Sequence, residues 1–131
     1  MTLVFDAQAL VAYFKNEPGA SAVRDMLDAV EAGREDAWCS TVNFAEVHYL
    51  VWRHRPDQAV SLMQWLMHLG IQVAETADVW MEAAEIKAEH PMPLADCFAL
   101  ATAKALDATL VAGSDVHFDA APSLGVELRR I

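Results

Sequence analysis

Apolar residues along the chain follow two rhythms. Short, nearly unbroken apolar runs occur at Thr2–Phe5 ("TLVF"), Ala37–Cys39, Ile71–Ala74 and Thr109–Ala112. Such runs predict strands covered on both faces, because a strand with a wet face alternates polar and apolar residues. Val126–Leu128 predicts a final strand. Between these runs the apolar positions recur at helical spacing, as with Ala22, Val23, Met26, Leu27 and Val30 inside Ser21–Ala32. Helices are predicted over Ala7–Phe14, Ser21–Ala32 and Val42–His54, the last with Thr41 as N-cap and a stop before Pro56. Further helices are predicted from an Asp57 cap to Leu69, from Thr76 or Asp78 to just before Pro91, and over Asp96–Leu106. Glu17-Pro18-Gly19, Gly33 and Gly70 punctuate the chain between them.

Short buried strands separated by helices predict an α/β fold, with a short, mostly parallel central sheet between two helical layers. No linker, repeat or low-complexity tract interrupts the pattern, so one domain over residues 1–131 is expected. No apolar run approaches the roughly 18 to 20 residues of a membrane span. Asp6 follows Phe5 directly with no basic segment before it, so no secretory signal is expected and residence is read as cytoplasmic. Cys39 and Cys97 lie in apolar segments without metal-knuckle spacing, and read as buried free thiols.

Charge narrows the function classes. Nine basic residues face nineteen acidic ones, for a net charge of −10. That excludes a basic coat for nucleic acid and an anionic-membrane binder. If nucleic acid is the ligand, something other than Lys and Arg must neutralise phosphate. Arg53-His54-Arg55 and Arg129-Arg130 are the dense basic spots, and both read as solvated ends of elements.

Four acids stand out by position. Asp6 follows the first predicted strand, and Asp115 follows the strand at Thr109–Ala112. In parallel α/β sheets the ligand edge lies beyond the carboxyl ends of the strands. Asp96 and Glu46 open helices that begin at that same edge. Each alone is an ordinary helix-start acid, complementing the helix dipole by roughly 0.3–1 kcal/mol. Together, Asp6, Glu46, Asp96 and Asp115 are expected to converge, and close carboxylates repel unless a cation sits among them. All-oxygen ligation suits Mg²⁺ or Mn²⁺ rather than Zn²⁺. Two such ions roughly 4 Å apart serve phosphodiester hydrolysis by a metal-activated water. Ser114 reads as a turn residue or a holder of bound water, Asp119 as a possible further acid, and His117 as a loop residue or a phosphate contact.

The segments carrying these acids resemble a known family. "LVFDAQALVAYF" is similar to the opening strand and first acid of PIN-domain proteins, "STVNFAEVHYLV" to their second motif, and "LADCFALATAKALDATLVAGSDVHF" to their third and fourth. The four occur in register over almost the whole chain. Length and motif wording resemble VapC-type toxins of bacterial toxin–antitoxin pairs. That resemblance implies a three-layer α/β/α PIN-like fold and an endoribonuclease dependent on Mg²⁺ or Mn²⁺. It further implies a homodimer and a cognate antitoxin that blocks the site. The chain departs from the family at Ala7 and Gln8, where a Ser or Thr often follows the first acid.

Two other functions compete. A receiver-like phosphoacceptor domain would want paired acids after the first strand and a lysine beside Asp115, and has neither. A PIN-like module that binds a partner without cutting is consistent with Ala7 and with the acidic balance. No HExxH pair, G-x-S-x-G elbow, P-loop or G-x-G-x-x-G occurs. Met63, Leu66 and Met67 form one helical stripe, with Trp65 off it; the stripe reads as core or as a dimer or antitoxin surface, and Trp80 and Met81 raise the same question.

Overall fold

A computed structural model describes residues 1–131. The chain runs β1 (Thr2–Phe5), α1 (Ala7–Lys15), α2 (Ala20–Glu31), β2 (Asp36–Ser40), α3 (Thr41–His54), α4 (Ala59–Leu69) and β3 (Ile71–Ala74). It continues through α5 (Trp80–Glu89), α6 (Leu94–Ala105), β4 (Thr109–Ala112), two short 3₁₀ turns and β5 (Leu128–Arg130). The strands form one five-stranded sheet in the order β3-β2-β1-β4-β5, every neighbouring pair parallel. The predicted α/β class and parallel sheet are therefore observed.

Strand alternation divides the core. Leu3, Phe5, Ala37, Cys39 and Val111 face a cluster built with α1 to α4. Val4, Leu110 and Ala112 face the other cluster, built with α5 and α6. The result is three layers, helix, sheet and helix. Helix α6 buries Cys97, Ala99, Leu100, Ala101, Thr102 and Ala103. Its run of small side chains lets it lie close over the sheet. Cys39 and Cys97 are buried free thiols, as expected, and burial pushes both thiols up.

Several boundaries differ from the sequence expectation. Ser40, not Thr41, caps α3, its hydroxyl accepting from the Val42 N–H. Glu46 is therefore in the second turn of that helix, not the first. Helix α4 starts after Gln58 and gains no side-chain cap from Asp57. Helix α5 begins only at Trp80, because the Thr76 carbonyl first closes a turn with the Val79 and Trp80 N–H groups. Helix α6 starts two residues before Asp96, with Pro93 at its cap. The last strand is Leu128–Arg130 rather than Val126–Leu128, since Leu128 to Arg130 pair in register with Leu110 to Ala112. On α4, Leu66 is core, whereas Trp65 and Met67 are about half exposed, as are Trp80 and Met81 on α5.

Order 3-2-1-4-5 makes the sheet reverse between β1 and β4. At such a switch point the connections leave in opposite directions and open a crevice at the strands' carboxyl ends. The Asp6 N–H donates to the Val111 carbonyl there, stitching the two strand ends together.

Candidate metal centre

Asp6 closes β1 and caps α1, accepting from the Ala9 N–H at 2.8 Å. It is 3% exposed. Burial pushes its pKa up to about 7; the Ala9 N–H pulls it down, and the charge of Asp96 adds to the rise. Helix α1 lies close over the end of β4: a Cβ on Gly113 would stand 2.5 Å from Gln8 Cγ, so a side chain there would have to displace Gln8.

Glu46 is held from its own helix. The buried Asn43 donates through Nδ2 to Glu46 Oε1 at 3.0 Å and to the Ala95 carbonyl at 3.2 Å. One amide thus ties the second acid to the residue before the third. Asp96 lies in the first turn of α6. Burial raises its pKa to about 6, with further pushes from Asp115 and Glu46 and an opposing pull from His117.

Asp115 follows β4 across Gly113 and Ser114, and its Oδ1 accepts from the His117 N–H at 2.9 Å. Arg130 of β5 braces that loop, donating through Nη1 to the carbonyls of Gly113 and Asp115 and pairing with Asp119. Phe118, fully buried, anchors the following 3₁₀ turn. His117 Nδ1 then lies 2.9 Å from Asp115 Oδ1 and 3.5 Å from Asp96 Oδ2.

All four predicted acids line one cavity of about 350 Å³, together with Gln8, Lys15 and Glu17. A larger recess of about 550 Å³ between α1, α3 and α4 holds none of them. Ser114 lines a separate recess beside Gly113, and Asp119 is turned outward to Arg130. The basic spots are engaged locally: Arg53 sits over the Tyr49 ring, and Arg55 hydrogen-bonds Gln58. Two contributors are absent from the sequence expectation, Lys15 on the cavity wall and Asn43 as a brace, while His117, expected as a loop residue or a phosphate contact, lies between two acids. Lys15 had a sequence signal, since Gln8, Val11 and Lys15 share one face of α1.

The donor set fits a divalent cation. Asp96 Oδ2 and His117 Nδ1 are both closed to solvent without a hydrogen-bond partner, and Asp6 and Asp96 are acids that burial makes costly to ionise. A cation relieves both conditions at once. Asp96, Asp115 and His117 each offer one atom, and these lie within 4.8 Å of one another.

A family model described as PIN domain matches residues 3–124. No curated protein gives a significant sequence match. Among solved structures, a chain of VapBC2 from Rickettsia felis, bound to a DNA fragment from its promoter, superposes with a TM-score of 0.78 at 18% identity, covering 99% of this chain and 98% of that one. A chain of DNA-bound VapBC from Salmonella typhimurium gives 0.76 at 16% identity, again covering 99% and 98%. VapC20 from Mycobacterium tuberculosis, described as a sarcin-ricin loop cleaving toxin, gives 0.68 at 16% identity, covering 91% and 94%.

Proposed function

The chain belongs to the PIN-domain family, and from that premise we propose that residues 1–131 form a single-domain, divalent-metal-dependent endoribonuclease, the toxin of a toxin–antitoxin pair. The observation that carries this is the convergence of Asp6, Glu46, Asp96 and Asp115, from four separate elements, on one cavity at the sheet's switch point. These four side chains would hold Mg²⁺ or Mn²⁺. A divalent ion bound there supplies an acidified water and neutralises charge on the scissile phosphate. The protein's own part is geometry. Asp6 is locked by the Ala9 N–H, Glu46 by Asn43, and the Asp115 loop by Arg130. Lys15 gives the cavity wall one positive charge to meet an RNA phosphate. In a chain of net charge −10, the ion and Lys15 do the work that a basic surface does elsewhere.

A cognate antitoxin and a homodimer belong to the same proposal. The VapBC complexes among the structural neighbours support the antitoxin. The exposed Trp65, Met67, Trp80 and Met81 support protein contacts of either kind. Cytoplasmic residence is supported by the two unpaired, buried thiols.

The test is cleavage of a structured RNA pool by protein freed of antitoxin, in Mg²⁺, in Mn²⁺ and in EDTA, with Asp96→Asn purified alongside. Cutting that needs the ion and that the variant loses is the expected outcome. Equal cutting by the variant would refute the site, and folded protein that never cuts would favour a PIN-like binding module instead.

A further inference from the structure

We propose that His117 is itself a metal ligand, through Nδ1, and that this nitrogen shifts the centre's preference from Mg²⁺ toward Mn²⁺. The inference rests on the acids being a metal site, and adds a residue and an ion preference to it.

Three observations converge on Nδ1. First, its spacing is that of a coordination shell. Donors at adjacent corners of an octahedron, each about 2.1 Å from the ion, stand roughly 3 Å apart. Nδ1 is 2.9 Å from Asp115 Oδ1 and 3.5 Å from Asp96 Oδ2. Second, the proximity is an ion-pair contact that lacks hydrogen-bond geometry. Nδ1 and Asp96 Oδ2 are both shielded from water and have no hydrogen-bond partner. Polar atoms shut away unpaired are costly, and a shared cation satisfies both. Third, the imidazole is held from behind. The His117 N–H donates to Asp115 Oδ1, Phe118 is buried next to it, and Arg130 grips the Asp115 carbonyl. The ring is carried on a braced turn rather than on a free loop.

The chemistry of the donors sets the ion preference. Mg²⁺ favours oxygen ligands and near-ideal octahedral geometry. Imidazole nitrogen favours first-row transition ions, and carboxylates suit Mn²⁺ as well as Mg²⁺. A shell with one imidazole among carboxylates therefore selects Mn²⁺ more strongly than four carboxylates alone would.

The experiment uses the full chain, metal-stripped and then loaded with Mn²⁺, without RNA. Pulsed electron paramagnetic resonance reads nitrogen coupling at the bound ion, and titration reads Mn²⁺ affinity with and without competing Mg²⁺. Wild type is compared with His117→Gln, His117→Ala and Asp96→Asn, each checked for native circular dichroism. Expected are imidazole nitrogen coupling in wild type, its loss in both His117 variants, and an Mn²⁺ affinity lower by about tenfold or more, the size usual for a perturbed coordination shell. Mg²⁺ affinity should change much less, and least in His117→Gln, whose amide oxygen can replace the nitrogen. Mn²⁺ bound without nitrogen coupling, or coupling that survives in His117→Gln, overturns the proposal and leaves the carboxylate site standing. An Asp96→Asn variant that binds Mn²⁺ as well as wild type, or a wild type that binds none, overturns both.

Discussion

Replacing Asp6 by Asn should stabilise the metal-free protein at pH 8, an unusual direction for a substitution in a buried site. Asn keeps a side-chain oxygen to accept from the Ala9 N–H, so the helix cap survives. What it removes is a charge buried almost completely. The pKa of Asp6 rises from 3.8 to about 7 on folding, mainly through burial. The native state thus holds this proton more tightly than the unfolded chain does. Below about pH 4 both states are protonated, and the stability is fully present. Between there and about pH 7 the unfolded chain has released its proton and the native one has not, so stability falls by about 1.4 kcal/mol per pH unit. Above pH 7 the loss is complete. A shift of this size corresponds to about 4 kcal/mol at most, and relaxation around the ionised group lowers it. Asp96, raised to about 6, acts in the same direction over a narrower window.

Urea unfolding in EDTA at several pH values measures this. Asp6→Asn should match wild type near pH 4 and exceed it by about 2–4 kcal/mol at pH 8. Adding Mn²⁺ to a hundredfold excess over its Kd should return about 2.7 kcal/mol to wild type and little to the variant. If the variant is native by circular dichroism yet no more stable than wild type at pH 8 in EDTA, the ionised Asp6 is not a buried cost and the cause assigned to its raised pKa is wrong.

Asn43→Ala should lower Mn²⁺ affinity by about 10- to 100-fold, since Glu46 loses its brace, and should cost about 0.5–1.5 kcal/mol because the bond across to the Ala95 carbonyl in α6 is lost; metal titration and urea unfolding read the two effects separately. Lys15→Ala should raise KM for RNA with kcat little changed, and should flatten the salt dependence of binding by about one unit of slope, as removal of one phosphate contact does. An unchanged KM and slope would take Lys15 out of RNA binding.

Most of the fold was legible because a buried parallel strand cannot hide its composition. Thr2–Phe5 and Thr109–Ala112 are buried strands over the residues the apolar runs predict; Ile71–Ala74 is also a strand, but an edge strand with Gln72 and Val73 exposed rather than covered on both faces. The last strand was misplaced because β5 is an edge strand with half-buried side chains, where the backbone ladder to β4 decides the register and hydrophobicity does not. The position of each acid was legible from chain order alone, since strand ends and helix starts at one edge follow from parallel topology. Asn43 was not, because nothing in "TVNFAE" says that the amide reaches across to α6, a contact spanning 52 residues. His117 also needed coordinates: its ring meets Asp96 only after β4 and α6 have packed.

The same burial that makes the site rigid is what makes it costly. Helix α6 and strand β4 are among the most buried elements of the protein, and they carry Asp96 and Asp115 at their ends. Packing of this kind leaves a carboxylate little freedom to move away from its neighbours. Wetter, looser elements would lower the repulsion and would also lose the fixed geometry that an ion requires. The raised pKa values of Asp6 and Asp96 express that trade in free energy. It follows that a bound divalent cation and a low pH should stabilise the fold by the same route, each removing negative charge from one buried cluster. Their effects should therefore be less than additive: Mn²⁺ should stabilise wild type strongly at pH 8 and hardly at pH 4, where protons already occupy the carboxylates. Equal stabilisation by the ion at both pH values would mean that it binds somewhere other than among these acids.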